Sequence, residues 1–366
     1  MSYFAITASL LFIFINFYSY RSLSKNYVLM KFKKSLAVIF ILLFIFELLF
    51  FISLKNGELH GIIYKISIFS IGISFMLFCV LILYDGLLFG TSKFNKSRRK
   101  ALKFLLDITV LIGFFSYLFK GVYNASYNTV ITFRKVTLEN LKQPLNIAIL
   151  SDIHIGEFLR KDFLQGLVDQ VNSLNVDAVF LVGDIVDLSA DKLGDILDPL
   201  NDLRSKFGTF LVVGNHEYYH GIEELLVKFK SLNLKVLENE SVSFGGINLA
   251  GVYDIAGLKM NTHKPDFSKA LANLDRALPT VLLTHQPKSL SYLNGEVDLA
   301  VCGHTHAGQI FPFSLLVWLD QKYIYGLYKL SKKMQLLVSS GVGFWGPPMR
   351  ILSKSEIVYL SLNKEG

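Results

Sequence analysis

Two histidines separated by one residue, His304 and His306, stand directly after an apolar run that ends at Gly303. The run, residues 298–302, predicts a buried strand that stops at the glycine. An extended backbone would project both imidazoles to one face, whereas a bend after the glycine would let them reach two adjacent points. Imidazole is the commonest metal ligand in proteins, and the alternative for an isolated pair is two unrelated loop histidines.

Side chains of the same kind follow other apolar runs. The full set is Asp152, His154, Asp184, Asn215, His216, His285, His304 and His306. Ligands of open α/β sheets bind beyond the carboxyl ends of the strands, so we expect these residues to converge on one site. Carboxylate, amide and imidazole groups without thiolate suit Mn, Fe or Zn. Their number exceeds the needs of one ion, so the set predicts two ions that share a carboxylate, about 3.5–4 Å apart.

The elements that must position these residues alternate between short apolar runs and polar helical stretches, which indicates an α/β fold. Strands are predicted at 145–150, 176–182, 209–213, 280–283, 298–302, 335–339 and 356–362. A hairpin of 235–244 and 247–253 is predicted around Gly245 and Gly246. Helices are predicted at about 162–174, 191–206, 222–232 and 267–277.

The order of these motifs resembles the calcineurin-like metallophosphoesterases, from about residue 145 to the C-terminus. The matching blocks are Asp-x-His at 152–154, Gly-Asp at 183–184, Gly-Asn-His-Glu at 214–217, His285 and Gly-His-Thr-His at 303–306. The resemblance implies an α/β fold, an α+β sandwich of two mixed β-sheets flanked by helices. It implies a phosphoester hydrolase with a dinuclear centre and a bridging hydroxide. Manganese is the expected metal, with iron or zinc as alternatives.

The resemblance also assigns a role to each residue. The first ion would be bound by Asp152, His154 and His306, the second by Asn215, His285 and His304, and both by Asp184. His216 would be the catalytic residue that stabilises the transition state or protonates the leaving oxygen. Cys302 is expected to be a small buried strand residue rather than a ligand.

Three more residues have two interpretations each. Glu217 would either orient a ligand or act as an acid near a helix start. Asp187 is expected to be a loop or helix-start residue outside the site. Arg350 ends a block, 339–350, that resembles the bacterial membrane-associated branch of the family; it would either bind a substrate phosphate or form a salt bridge in a turn. His60, His220 and His263 are expected to be ordinary histidines.

An apolar and aromatic run, residues 309–319 with Tyr323, Tyr325 and Tyr328, follows directly on the histidine motif. If exposed, such a run would suit acyl chains or the bilayer interface. The alternative is that the run is buried core.

The N-terminal third has a different composition. Residues 1–135 carry 16 Lys and Arg against 4 Asp and Glu, whereas the remainder carries 21 against 25. Four transmembrane helices are predicted at 3–20, 36–54, 62–83 and 104–122. The basic loops 21–34 and 91–103 are expected in the cytoplasm, which puts the catalytic domain outside it. Of the charged residues in the spans, Glu47 and Asp107 would either pair with each other, line a cavity or be tolerated in an anchor.

These observations predict a membrane domain at 1–125, a linker at 126–144 and a catalytic domain at 145–366, in an inner or plasma membrane. The basic charge reflects membrane topology, so no nucleic acid is expected as a partner. The expected substrate is a lipid- or nucleotide-linked phosphoester at the membrane, hydrolysed as a phosphodiester or pyrophosphate. One alternative is a UDP-2,3-diacylglucosamine pyrophosphatase of lipid A synthesis, which would require a cytoplasmic site. The other is a non-catalytic metal-binding scaffold.

Overall fold

The computed structural model describes residues 3–25, 30–56, 59–91, 94–126, 128–295 and 297–364. The chain divides into two compact units, Met1–Tyr123 with Gly346–Met349, and Asn124–Trp345 with Arg350–Gly366. We call them the helical unit and the sheet unit.

The helical unit is built on four helices, α1 (Tyr3–Leu23), α2 (Lys33–Asn56), α3 (Gly61–Gly90) and α4 (Lys96–Ser126). Within the described residues, three helical segments are long and apolar enough to cross a membrane: Met30–Ser53, Gly61–Gly90 and Lys96–Ser126. The prediction of four is therefore corrected to three. The first predicted span lies in α1, where Asn16 and the tyrosines interrupt the apolar run and Arg21 follows it. Residues 26–29, 57–58 and 92–93 of the predicted loops, Lys93 among them, lie outside the described residues.

Polar side chains join the helices of this unit in pairs. The buried Glu47 of α2 accepts a hydrogen bond of 2.6 Å from Asn16 Nδ2 of α1. Asp107 of α4 accepts a hydrogen bond from Tyr84 of α3. Interhelical hydrogen bonds of this kind stabilise helix association in an apolar environment. Glu47 and Asp107 therefore bind separate partners rather than each other.

The sheet unit contains two six-stranded mixed sheets, as predicted for the fold class. The first has the order β1-β12-β2-β3-β4-β5 and the second the order β10-β11-β9-β8-β7-β6. The strands are β1 Thr129–Leu138, β2 Leu145–Leu150, β3 Ala178–Val182, β4 Thr209–Val212, β5 Lys235–Val236, β6 Glu240–Phe244, β7 Ile247–Gly251, β8 Thr280–Leu283, β9 Leu299–Cys302, β10 Gly326–Lys329, β11 Gln335–Val338 and β12 Ser355–Lys364. Strands β2 to β5 run parallel, as do β7, β8, β9 and β11.

The apolar strands build the core by alternation. Phe180 of β3 packs with Leu249 and Val301 of the other sheet, whereas its neighbours Val179 and Leu181 pack in a second cluster with helix residues. Successive strand side chains point to opposite faces, so a continuous apolar run is buried on both. The helices of this unit are α5 Lys161–Ser173, α6 Ala190–Leu193, α7 Asn215–Tyr219, α8 Ile222–Lys230, α9 Ala256–Met260, α10 Phe267–Ala270 and α11 Ser314–Gln321.

Four predicted elements differ from the structure. Residues 126–144 do not form a linker, because β1 is a strand of the first sheet, paired in parallel with β12 and burying Val136 and Leu138. The predicted helix at 191–206 is broken into α6 and a 3₁₀ turn by Gly194, at φ +50°, and by Pro199. The predicted strand at 235–244 divides between the two sheets as β5 and β6. The helix predicted at 267–277 ends at Ala270.

Candidate metal centre

The carboxyl ends of five parallel strands carry the predicted ligands. Asp152, Asp184 and Asn215 follow β2, β3 and β4 of the first sheet, while His285 and His304 follow β8 and β9 of the second. Parallel strands end at the same edge of a sheet, so their ends lie together. The groups whose ligand atoms all lie within 4.8 Å of one another include Asp152 with His154 and His306, and Asp184 with His285 and His304.

The backbone at these positions adopts the left-handed region, which non-glycine residues rarely occupy. The residues concerned, with their φ angles, are Asp152 (54°), His154 (51°), Asp184 (52°), His304 (72°) and His306 (48°). Strand-like hydrogen bonds hold them there: Asp152 N donates to Gly183 O at 3.0 Å, and His154 N donates to Asp184 O at 3.1 Å. Backbone strain of about 1–3 kcal/mol per residue is characteristic of sites that the surrounding fold over-determines.

Two glycines allow the groups to approach closely. A Cβ on Gly183 would lie 2.4 Å from His285 Nδ1, and one on Gly303 would lie 2.5 Å from Asp152 Oδ2. Neither distance leaves room for a side chain, so glycine is required at both positions.

Nitrogen and oxygen atoms of these groups lie within 3.0–3.8 Å of one another. His154 Nε2 lies 3.0 Å from His306 Nε2, and His306 Nε2 lies 3.4 Å from Asp152 Oδ1. His285 Nε2 lies 3.1 Å from Asp184 Oδ2 but has no partner in hydrogen-bond geometry. Asp184 Oδ2 is also 3.8 Å from His154 Nε2, so this carboxylate stands between the two groups.

Burial and neighbouring charges set the protonation of the imidazoles. Burial, with the positive charge of His285, lowers the pKa of His304 to about 3. Burial, with His154 and Arg350, holds the pKa of His306 well below its usual range. Burial disfavours the charge on Asp184, but His285 and His216 hold its pKa well below the usual value. Neutral imidazole beside an ionised carboxylate is the form in which both bind a metal.

Asp187, which the sequence did not place in the site, binds two histidines of the site. Its Oδ1 accepts hydrogen bonds from His154 Nδ1 at 2.8 Å and from His216 Nδ1 at 2.7 Å. Burial alone would lower the pKa of His216, but the carboxylates of Asp184 and Asp187 raise it to about 9. The available signal was its spacing, three residues after Asp184 on the same loop.

Glu217 combines the two interpretations drawn from the sequence. Its carboxylate is buried and accepts N–H donors from Gly214, Asp184, Ile185 and Val186 at 2.6–3.2 Å. It therefore caps the start of α7 and fixes the loop that carries Asp184. Burial and the charge of Asp184 raise the pKa of Glu217 to about 7.

The guanidinium of Arg350 is buried and bonded within the protein. The residue is 0% exposed. It donates to backbone carbonyls of Ser340, Gly341, Gly343 and Lys354, and to Ser353 Oγ. Its Nη2 also lies 3.1 Å from His306 Nδ1. Arg350 therefore stabilises the loop that carries His306. This role replaces the two interpretations drawn from the sequence, a contact with a substrate phosphate and a salt bridge to a carboxylate.

The sequence did not assign two residues that lie near the site. Asp254 follows β7, is fully buried, and accepts from Ala256 N at 2.7 Å and Gln286 Nε2 at 2.8 Å. The strand-end pattern that identified the ligands applies to it equally. His220, expected to be ordinary, groups with Asp187 and His216.

This chain is similar in sequence to a known protein family and to several of its members. Residues 145–308 match the calcineurin-like phosphoesterase family. An uncharacterized metallophosphoesterase of Helicobacter pylori is 44% identical over 86% of this chain and 88% of its own. One of Campylobacter jejuni is 37% identical over 98% of both chains. A bovine (Bos taurus) "transmembrane protein with metallophosphoesterase domain" is 36% identical over 66% of this chain and 59% of its own.

Proposed function

Because the chain belongs to the calcineurin-like metallophosphoesterases, we propose that it is a membrane-anchored hydrolase of phosphodiester or pyrophosphate bonds with a dinuclear metal centre. One observation carries the dinuclear assignment. The carboxylate of Asp184 lies between two groups of ligands, one containing His154 and the other His285. A shared carboxylate is what two ions in one centre require.

The side chains fit two divalent ions. Asn215 Oδ1 and His285 Nε2 are buried without a hydrogen-bond partner, an arrangement that is unfavourable unless another group binds them. The Nε2 atoms of His154 and His306 face each other at 3.0 Å, and an ion bound by both would replace their mutual hydrogen bond. We assign the first ion to Asp152, His154 and His306, the second to Asn215, His285 and His304, and Asp184 to both. The donor set is compatible with manganese, iron or zinc, and we propose manganese.

The ions would supply activation of a water molecule and compensation of charge on the phosphoryl oxygens. The chain itself supplies a proton donor. Asp187 binds His216 through Nδ1, which leaves Nε2 on the side of Asp184 Oδ2, at 3.9 Å. From there His216 would donate a proton to the leaving oxygen.

The apolar helices support a substrate at the membrane, and we propose a lipid- or nucleotide-linked phosphoester on the extracytoplasmic side. A reporter enzyme fused after residue 366 tests the side. Activity of a periplasmic reporter is expected, whereas activity of a cytoplasmic one would contradict the assignment and restore the lipid A alternative.

Hydrolysis of a generic phosphodiester by the purified full chain with added Mn²⁺ tests the chemistry. Asp184→Asn should abolish hydrolysis and lower the bound metal measured by mass spectrometry. His216→Ala should abolish hydrolysis but retain the metal. The matched control is Asp202→Asn, at an exposed carboxylate of the same unit. Metal-independent hydrolysis, or an Asp184→Asn variant equal to the control, would refute the proposal.

A further inference from the structure

Helix α11 has an inverted distribution of polar and apolar side chains. Its apolar residues are exposed, with Trp318 at 53% and Leu319 at 71%. The residue it buries is Gln321, whose amide contacts Asp320 and the backbone N–H of Lys288. A surface helix of a soluble unit normally turns its apolar stripe toward the core. The outer face of α11 is therefore suited to an apolar environment.

The exposed apolar side chains of this region form one surface. We call it the α11 patch and define it as Phe311, Leu315, Leu316, Trp318 and Leu319, all of them at least 50% exposed. At about 100° per residue, the four helical members lie within roughly 160° of the helix circumference. Large apolar side chains grouped in this way mark an interaction surface, whereas single ones are ordinary.

The α11 patch lies beside the metal centre. Helix α11 packs against the turn of His306–Gly308. A Cβ on Gly308 would lie 2.2 Å from Ser314 Cβ, so the first turn of the helix rests directly on this loop. Whatever covers the α11 patch is therefore adjacent to the loop that carries His306.

Three features of the chain identify a lipid bilayer as the occupant. Three helical segments of the first unit, α4 among them, are apolar enough to cross a membrane, and two residues of sequence separate α4 from β1. The sheet unit is therefore tethered by a short connection to a helix that can cross a bilayer. Tryptophan is enriched at membrane interfaces, and the exposed Lys322 and Lys329 that follow the helix complement anionic headgroups.

We infer that the α11 patch inserts into the interfacial layer of the bilayer to which the chain is anchored. Insertion by about 5–10 Å is usual for an amphipathic helix lying in this layer. It would hold the metal centre at the level of the lipid headgroups. A phosphoester of that layer would then be the substrate, and this last step alone rests on the proposed function.

The two tryptophans of the chain, Trp318 and Trp345, allow a direct test. The full-length Trp345→Phe variant is reconstituted into vesicles of phosphatidylcholine with or without bromine on the acyl chains near the headgroup. Trp318 emission should be lost in the brominated vesicles, and more strongly than Trp345 emission in the Trp318→Phe variant. Equal Trp318 emission in both kinds of vesicle would overturn the inference. The result requires no catalysis, so it is independent of the proposed function.

A charge placed in the α11 patch provides the second measurement. Leu319→Asp, in the Trp345→Phe background, should reduce the quenching of Trp318. Val227→Asp is the matched control, because Val227 of α8 is also 71% exposed. Unchanged quenching in Leu319→Asp would count against insertion.

The same variants test the substrate step. Leu319→Asp should raise KM for a phosphodiester lipid in vesicles and leave KM for a water-soluble phosphodiester unchanged. If Leu319→Asp and Val227→Asp have equal KM values for the lipid, the substrate step alone is overturned.

Discussion

The carboxylate of Glu217 holds the loop that carries the shared ligand Asp184. The substitution Glu217→Gln tests this role with the smallest change in side-chain shape. One oxygen accepts the N–H groups of Ile185 at 2.7 Å and Val186 at 3.2 Å. The other accepts those of Gly214 at 2.6 Å and Asp184 at 3.1 Å. Glutamine replaces one oxygen with an NH₂ group. Whichever way the amide turns, two backbone donors then face another donor.

The magnitude follows from the two lost bonds. Hydrogen bonds to a charged group contribute about 1.5–3 kcal/mol each, so the loop should be destabilised by about 3–6 kcal/mol. Each 1.4 kcal/mol is a factor of ten, so amide exchange within Asp184–Val186 should accelerate about 10²–10⁴-fold if it proceeds by local opening. Bound metal should fall as well, because Asp184 moves with the loop.

Hydrogen exchange measured by mass spectrometry at pH 8 is the appropriate assay. At this pH the Glu217 carboxyl, with its pKa of about 7, is ionised. Glu224→Gln is the control, since Glu224 is an exposed glutamate on α8. If exchange in Asp184–Val186 changes no more in Glu217→Gln than in the control, the four-donor account of this residue is refuted.

Three further predictions concern the same centre. Asp187→Asn should lower hydrolysis about 10²-fold. The carboxylates of Asp184 and Asp187 together raise the pKa of His216 to about 9, so removing the second should move the alkaline limb of the pH–rate profile to lower pH, and an unmoved limb would contradict the pairing. Arg350→Lys should lower the free energy of unfolding by about 2–4 kcal/mol, since an ammonium cannot replace the guanidinium bonds; a changed KM with unchanged stability would instead indicate substrate binding. Gly183→Ala should lower the amount of bound metal, because the new Cβ would clash with the imidazole of His285. The control is Gly208→Ala, at φ +95° in open space, which should cost only about 1–2 kcal/mol of backbone strain. Equal metal contents in the two variants would contradict the argument that Gly183 allows a close approach.

The sequence predicted best what depends on local pattern. Strands β2 and β8 have the predicted bounds, because short apolar runs ending in polar residues are informative by themselves. Asp152, Asp184 and His285 were selected as candidate ligands through the same strand-end pattern. Convergence of their ligand atoms confirms the reasoning about strand ends, while the metals they bind stay a prediction.

Features that depend on distant partners could not be predicted. Strand β1 was taken for a linker because its partner β12 lies more than 200 residues away in the chain. Asp187 contacts His154 and His216, which come from two different strand ends. Arg350 is surrounded by carbonyls of loops whose direction no residue pattern reveals. For α11 the sequence left burial or exposure open, and the structure shows exposure.

The position of β12 between β1 and β2 has a consequence for synthesis. The ribosome makes β12 about 200 residues after β2. At about 5–20 residues per second, β1 and β2 wait on the order of 10–40 s for the strand that joins them. During this interval the edge of β2 that will pair with β12 is an unprotected template for other chains. We therefore expect nascent chains to need chaperone protection until translation finishes, and chains truncated before Ser355 to aggregate at the membrane rather than fold.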